Sequence, residues 1–367
     1  MIKIALGGRI RKSPYFEATR RYGCKLYTVY NRMYLPLIYK DIVTDYWQLI
    51  NNVALWDVAC ERQLEISGPD AAQFAQYLTP RNISNCKVGQ GKYVPLVDEN
   101  GGMLNDPVLL RIEENKFWFS LADYDILLWA KGIAYHSGMD VIITEPDVSP
   151  LAIQGPNAEP IMVELFGNWI KDLRYFWFRQ TTLHGILMVV CRSGWSKQGG
   201  FELFLQDGSR GNELWEIMME AGRPYDIAPG APNGIERVES GLLNFGVDMT
   251  MDTNPFEVGL DRYVDLEQGA EFVGKEALRH IRTEGIQKKL VGLSIKGNPL
   301  PSNQEFLPVY CSGAEPGELK TAVYSPRLET NIGLAMLPIV AAEVGTKVQV
   351  NFKHKISEAT VVPLPFI

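Results

Sequence analysis

The chain has no C-x-x-C pair, no two histidines at the i, i+4 spacing of a helical metal site, and no apolar run near the ~18 residues of a membrane-spanning helix. Its five cysteines (Cys24, Cys60, Cys86, Cys191, Cys311) are scattered and odd in number. That pattern argues against a disulfide framework and against a thiolate metal site, and leaves buried reduced thiols as the expectation. The four histidines (His136, His184, His280, His354) are equally dispersed, so no metal is expected. A strong excess of one charge is also missing. The net charge of −7 gives no global attraction to nucleic acid or to an anionic membrane, so small molecules or other proteins are the expected partners. Low-complexity segments are absent. The first residues carry Lys3, Arg9, Arg11 and Lys12 but lack the apolar core of a signal peptide. Such an arginine-rich, acid-poor start is also a composition found in organellar transit segments. The plainer expectation is a basic arm that anchors something anionic or lies on the surface of a cytoplasmic protein.

What is present suits a globular enzyme. Apolar residues make up 46% and charged residues 22%, which argues against a disordered chain. At 367 residues the chain is too long for one compact core, so two or three domains are expected. Eight Trp, 16 Tyr and 15 Phe are enough for buried cores or a ring-stacking pocket.

Periodicity organises the first half. Asp41 to Asn52 has the apolar spacing of a helix. Gln63 to Ser67 alternates Leu64 and Ile66 with polar residues, a strand with one buried face. Gly68-Pro69-Asp70 then opens a helix from Ala71 to Leu78, which Thr79-Pro80 stops. Strands are expected at Tyr93–Val97, Pro107–Ile112 and Phe117–Phe119, with a helix over Asp123–His136 and a strand at Val141–Thr144. Strand, helix, three strands, helix, strand is an α+β layer of ferredoxin-like type. After Pro150, Leu151-Ala152-Ile153-Gln154-Gly155-Pro156 echoes the earlier strand, glycine and proline, and a helix follows over Ala158–Phe166. Strands are expected at Phe176–Thr182, Ile186–Cys191 and Phe201–Leu205, and a helix at Gly211–Ala221. From about Leu290, short β segments at Val291–Ile295, Val348–Phe352 and Ala359–Val362 indicate a small barrel or sandwich.

Several motifs stand in a fixed order. They are Gly101-Gly102-Met103-Leu104-Asn105-Asp106, the Leu151–Pro156 segment, Arg192-Ser193-Gly194-Trp195 with Gly200-Phe201-Glu202-Leu203, and Arg237-Val238-Glu239-Ser240-Gly241. Asn254-Pro255-Phe256-Glu257-Val258-Gly259-Leu260, Phe272-Val273-Gly274-Lys275, Tyr324-Ser325-Pro326, Ile332-Gly333-Leu334 and Leu364-Pro365-Phe366 complete the series. In this order and spacing they resemble the glycine-cleavage T-protein (aminomethyltransferase) family over nearly the whole chain. Thr28-Val29-Tyr30-Asn31, Val58–Gln63, Leu78-Thr79-Pro80-Arg81, Glu145-Pro146-Asp147-Val148 and Pro232–Arg237 are most similar to its dimethylsulfoniopropionate demethylase branch. The resemblance implies an α+β fold, a three-domain cloverleaf with ferredoxin-like layers and a C-terminal small β-barrel or jelly-roll domain. The implied domains are 1–55 with 150–250, 56–149 with 251–285, and 286–367. It also implies tetrahydrofolate as cofactor, a small methyl donor and a homodimer. The implied reaction demethylates dimethylsulfoniopropionate to a thioether acid and forms 5-methyltetrahydrofolate.

The resemblance assigns site residues one by one. Asp106 corresponds to the family's acid beside the reactive folate nitrogens. There a carboxylate stabilises the charge that grows on an amine as it attacks carbon, and takes up its proton. The alternative is an Asp that caps the turn after Gly101-Gly102. Glu202 matches a glutamate that binds the pterin, where a carboxylate accepts paired hydrogen bonds from an aminopyrimidine edge. A solvent-facing strand carboxylate is the alternative. Trp118 and Ser120 correspond to folate contacts, with Trp118 equally readable as core. A sulfonium needs an aromatic face, and Trp195 is the first candidate and Tyr30 the second. For the donor's carboxylate the candidates are Arg32, Arg62 and Arg81. The aromatic run Tyr175-Phe176-Trp177-Phe178 offers an aromatic box, but a buried strand explains it at least as well, so it is not taken as a site.

Some positions depart from the family pattern. Asn233 stands where T-proteins carry Arg, and Arg262 where they carry Trp; both argue against a lipoyl-protein-dependent aminomethyltransferase. Arg32 replaces the His usual in the demethylase branch, and Lys197-Gln198 replaces a Gly-Glu pair. These leave open a betaine, methylated amine or methoxy donor, and a folate-binding protein of this fold that catalyses nothing. No G-x-G-x-x-G flavin fingerprint is present.

Overall fold

The structure is a computed structural model, and it describes residues 7–311, 316–352 and 355–367. His354, one of the four histidines, lies outside the described residues. The chain forms two compact units. The first runs through Ala72 and takes Cys86–Lys92 and Val108–Asn233; the second takes Gln73–Asn85, Tyr93–Pro107 and the chain from Gly234 onward.

Two mixed sheet-and-helix layers build the first unit. A six-stranded sheet has the order Phe178–Leu183, Ile186–Cys191, Gly200–Leu205, Ser149–Gln154, Val53–Asp57, Ile227–Gly230. Only the last pair is parallel. Residues alternate across its faces, as the strand period requires. Leu55, Ile153, Phe201 and Leu203 pack with Ile161, Met162, Leu214, Trp215 and Met218 of helices Ala158–Phe166 and Gly211–Gly222. Burying side chains of this size stabilises the fold by about 1.5–3 kcal/mol each before chain entropy is counted. The second sheet places Ile142–Thr144, Gln63–Ser67, Lys116–Ser120 and Val108–Glu113 side by side, and ends at Gly91–Tyr93, where the chain crosses into the second unit.

The two strand–Gly–Pro–helix segments are geometrically alike. Gly68 and Gly155 both have φ +122°. A Cβ on Gly68 would meet Asp140 O at 2.7 Å, and one on Gly155 would meet Asn52 O at 2.5 Å. Only glycine fits either bend.

Helix starts follow their caps. Asp41 accepts hydrogen bonds from the amides of Val43 and Thr44 at the head of Ile42–Asn51. The helix expected from Asp123 instead begins at Leu127, because Ala122 to Tyr124 are engaged with Asn31. The aromatic run is also corrected. Phe176 has φ +59° and Tyr175 is 60% exposed, so the strand starts only at Phe178, the one buried ring of the four.

In the second unit, Lys288–Ile295, Thr330–Pro338, Gly317–Ser325, Leu307–Tyr310, Lys347–Asn351 and Ile356–Val362 form a closed barrel in that order. Its interior is apolar, with Leu293, Ile295, Leu319, Ala335, Val350 and Val361 facing one another. The barrel thus decides between the two forms expected for this region. The helix Gly234–Glu239 is buried despite its charges. Arg237 pairs with Asp248 at 2.5 Å and donates to Thr321 Oγ1 at 2.7 Å. Among the described residues no helix is long and apolar enough to cross a membrane. All five cysteines are free thiols, with Cys60, Cys86 and Cys191 buried.

Candidate active site

In the second unit, a short hairpin of Leu96–Val97 and Met103–Asn105 delivers Asp106 at its end. The turn between the strands is capped by Asp98, whose Oδ1 accepts from the amides of Asn100 at 2.9 Å and Gly102 at 2.8 Å. Asp106 is therefore free of the capping task that the turn could have given it. Its Oδ2 accepts a hydrogen bond from the Tyr93 hydroxyl at 2.9 Å. Its Oδ1 is shielded from solvent and has no hydrogen-bond partner among the described residues. Desolvation pushes the Asp106 carboxyl up to about 7; the Tyr93 hydroxyl and its own amide pull it down, and the Asp248 charge raises it further. Tyr93 is itself held well above its ordinary value by burial and by the Asp106 charge. The Tyr93 ring meets Tyr263 at 5.0 Å between centroids. Arg81 donates to Tyr93 O at 2.5 Å and lies over the Tyr263 ring.

In the first unit, Glu202 is paired across the sheet with Ala152 and Cys191, on the face opposite the helices. It is 6% exposed, so it is no solvent-facing strand residue. Ser193 donates to its Oε2. Burial raises the Glu202 carboxyl and the Ser193 hydroxyl lowers it. The segment after Ser193 folds over Gln154, whose amide donates to Ser193 O at 3.0 Å and accepts from Ser196 Oγ at 2.7 Å. Trp195 rides on this segment, half-buried.

Trp118 and Ser120 sit on the neighbouring sheet. Trp118 is 2% exposed, packs with Leu110, Ile112, Phe178 and Phe204, and donates its indole N–H to Glu65 Oε2 at 2.8 Å. Its ring and its donor are thus both engaged inside the unit. Ser120 Oγ accepts from Gln63 Nε2 at 2.8 Å.

The hairpin of Leu26–Tyr30 and Met33–Ile38 turns through Asn31 and Arg32, with φ of +47° and +60°. Asn31 fastens this tip. Its amide N–H₂ donates to Cys60 O at 3.1 Å and Ala122 O at 2.8 Å, its Oδ1 accepts from the Tyr124 amide at 2.9 Å, and its own amide donates to Asp123 Oδ1 at 2.7 Å. Tyr30 is half-buried and Arg32 exposed at the tip. Arg62 is buried and spent on Glu145 and Asp125, which leaves no fork for a ligand. Sequence reasoning missed Tyr93, Ser193 and Gln154 as members of the site. Ser193 and Gln154 lay inside quoted motifs, and only their side-chain directions were hidden.

Among the described residues, no group of three His, Cys, Asp or Glu side chains is arranged to hold a metal ion. Chemically, the second unit presents a carboxylate titrating near neutrality with one unused oxygen. The first presents a buried carboxylate steadied from one side. Proton uptake suits the former and recognition of a paired donor edge the latter.

The model of the GCVT N-terminal domain matches residues 15–268, and the model of the glycine cleavage T-protein C-terminal barrel domain matches 288–367. The dimethylsulfoniopropionate demethylase DmdA of Ruegeria pomeroyi is 39% identical over 361 residues, 98% of this chain and 98% of the relative. An aminomethyltransferase of Bacillus mycoides is 29% identical over 363 residues, 97% of this chain and 98% of the relative. Among solved structures, the glycine cleavage system aminomethyltransferase T of Bartonella henselae superposes with a TM-score of 0.88 at 21% identity, covering 98% of both chains.

Proposed function

The chain belongs to the glycine cleavage T-protein family, and we propose that it is a tetrahydrofolate-dependent methyltransferase that demethylates dimethylsulfoniopropionate. The observation that carries this reading is the shielded, partnerless Oδ1 of Asp106 beside a Tyr93-bound Oδ2. A buried carboxylate oxygen without a donor is costly, and a ligand N–H would satisfy it. The residues therefore fit a reduced folate. Bound tetrahydrofolate would supply the nucleophilic ring nitrogen that receives the methyl group.

Asp106, ionised above about pH 7, would offer Oδ1 to positive charge on a bound folate nitrogen and would accept the proton released there. Tyr93 keeps the carboxylate in one orientation, which matters because displacement at carbon demands alignment. Glu202, steadied by Ser193, suits the paired donors of the pterin's aminopyrimidine edge. Trp195, Tyr30 and Arg32 are the donor-side candidates, each with exposed surface to offer. A sulfonium donor asks little more of the protein. Its carbon–sulfur bond breaks with the electron pair staying on sulfur, so the thioether leaves neutral and needs no general acid. The 39% identity to a dimethylsulfoniopropionate demethylase supports the same donor.

The test is incubation of the purified chain with tetrahydrofolate and a panel of sulfonium, betaine, methylated amine and methoxy donors, with 5-methyltetrahydrofolate measured by mass spectrometry. Product from the sulfonium is expected. Product from another donor alone would reassign the substrate, and folate binding without product from any donor would mark a non-catalytic protein.

A further inference from the structure

In the second unit, Tyr263 carries two guanidinium groups. The Cζ of Arg81 lies 4.9 Å from its ring centroid and the Cζ of Arg262 lies 4.7 Å from it. The same ring meets the ring of Tyr93, the residue that donates to Asp106. A continuous series of contacts thus runs from Arg262 through two tyrosines to the candidate catalytic carboxylate.

The two arginines are used differently. Arg81 is half-buried and gives a short hydrogen bond to the backbone of Tyr93, so it serves the local fold. Arg262 is exposed, and among the described residues its side chain makes no hydrogen bond and no ion pair. Even Asp261, its neighbour in the chain, is not paired with it. Stacking on the half-buried Tyr263 ring biases the guanidinium plane without occupying its N–H groups. All five donors stay available in a rigid fork. Its charge reaches inward as well, since it counts among the groups that pull the Tyr93 hydroxyl down. A guanidinium oriented by a ring, unpaired, and joined through two tyrosine contacts to the candidate catalytic carboxylate is laid out for a bidentate carboxylate.

We propose that Arg262 is a carboxylate-binding residue, holding the anionic end of a ligand whose reacting end lies at Asp106. The inference rests on the function proposed above, and two carboxylates of that reaction qualify: the one on the methyl donor and those on the glutamyl tail of the folate. Each would be gripped by the same fork, and the two are separable by experiment.

Arg262→Gln and Arg262→Lys are compared with the parent chain in two binding ratios, read by titration calorimetry. One ratio compares dimethylsulfoniopropionate with trimethylsulfonium, which lacks the carboxylate. The other compares triglutamyl tetrahydrofolate with tetrahydropteroate, which lacks the tail. Arg262→Gln is expected to collapse one of these ratios by about tenfold or more, the usual worth of a charge-assisted pair. Arg262→Lys, which keeps charge but loses the fork, is expected to fall between. A collapsed donor ratio assigns the fork to the donor, and a collapsed folate ratio assigns it to the tail. Both ratios unchanged overturns the proposal. Because the readout is binding, absence of turnover with every donor would sink the proposed function, while the two ratios would still decide whether Arg262 holds a carboxylate.

Discussion

The Tyr93 hydroxyl meets Oδ2 of Asp106 at 2.9 Å, while Oδ1 of the same carboxylate is shielded and unpartnered among the described residues. One oxygen is thus fixed by the protein and the other is reserved. The arrangement holds a carboxylate in a desolvated place without quenching it, which a base working near neutrality requires.

A pH profile tests this first. With the Asp106 carboxyl pushed up to about 7, kcat/KM should rise with pH and level off above that value. Asp106→Asn should cost about 10²–10⁴ in turnover and flatten the profile. Tyr93→Phe removes a hydrogen bond that favours the ionised form, so the inflection should move to higher pH. An inflection that stays in place in Tyr93→Phe would remove Tyr93 from the control of Asp106.

Glu202 gives a separate prediction about binding. Its carboxylate is buried and braced by Ser193 alone among the described side chains. Glu202→Gln would place an N–H₂ where a donor edge needs an acceptor, and should weaken folate binding by about 10–100-fold. Ser193→Ala should weaken it less, by letting the Glu202 carboxyl rise further. Fluorescence titration with tetrahydrofolate measures both. Unchanged affinity in Glu202→Gln would leave the buried acid as a structural residue only.

How much of this was readable beforehand depends on whether local pattern or side-chain direction carried it. Apolar spacing disclosed the helix that follows Asp41, and alternation disclosed the strand Gln63–Ser67, because both signals are local. The ordered motifs identified the family across nearly the whole chain. The Tyr93–Asp106 bond was hidden, since the residues lie 13 apart across a hairpin and a hydroxyl's direction leaves no trace in composition. The start of the helix at Leu127 was hidden for a similar reason: the backbone from Ala122 to Tyr124 answers to Asn31, some 90 residues earlier. Four consecutive aromatics read as a buried strand because periodicity cannot see the left-handed φ of Phe176.

The hairpin tip offers a test that separates backbone strain from hydrogen bonding. Asn31 combines a φ of +47° with three side-chain hydrogen bonds. Asn31→Gly keeps the turn conformation and removes the bonds; Asn31→Ala removes the bonds and adds strain. Both should lower stability in urea unfolding, and Ala should be worse than Gly by about 1 kcal/mol. Equal losses would mean that the tip's hold comes from the side chain alone. If the tip also presents Arg32 and Tyr30 to the donor, both variants should raise the donor KM more than the folate KM.

The buried Asp57 predicts a pH dependence of stability with a definite sign. It is 2% exposed, and burial pushes its carboxyl up to about 7 against the pull of Ser13 Oγ at 2.5 Å and the Ala59 amide at 3.2 Å. Its folded value lies above the unfolded one, so between them the folded state binds the extra proton. The contribution to stability is therefore full below about pH 4 and is lost as pH rises through about 7. Each pH unit between the unfolded and folded values is worth about 1.4 kcal/mol at most, and relaxation around a buried charge reduces it, so a loss on the order of 2 kcal/mol is expected. Asp57→Asn abolishes the titration and should narrow the gap between unfolding free energies at pH 5 and pH 8 by that amount. Ser13→Ala removes a bond to the charged form and should widen it. An unchanged gap in Asp57→Asn would mean that the carboxyl titrates in its ordinary range, with Ser13 and Ala59 outweighing desolvation.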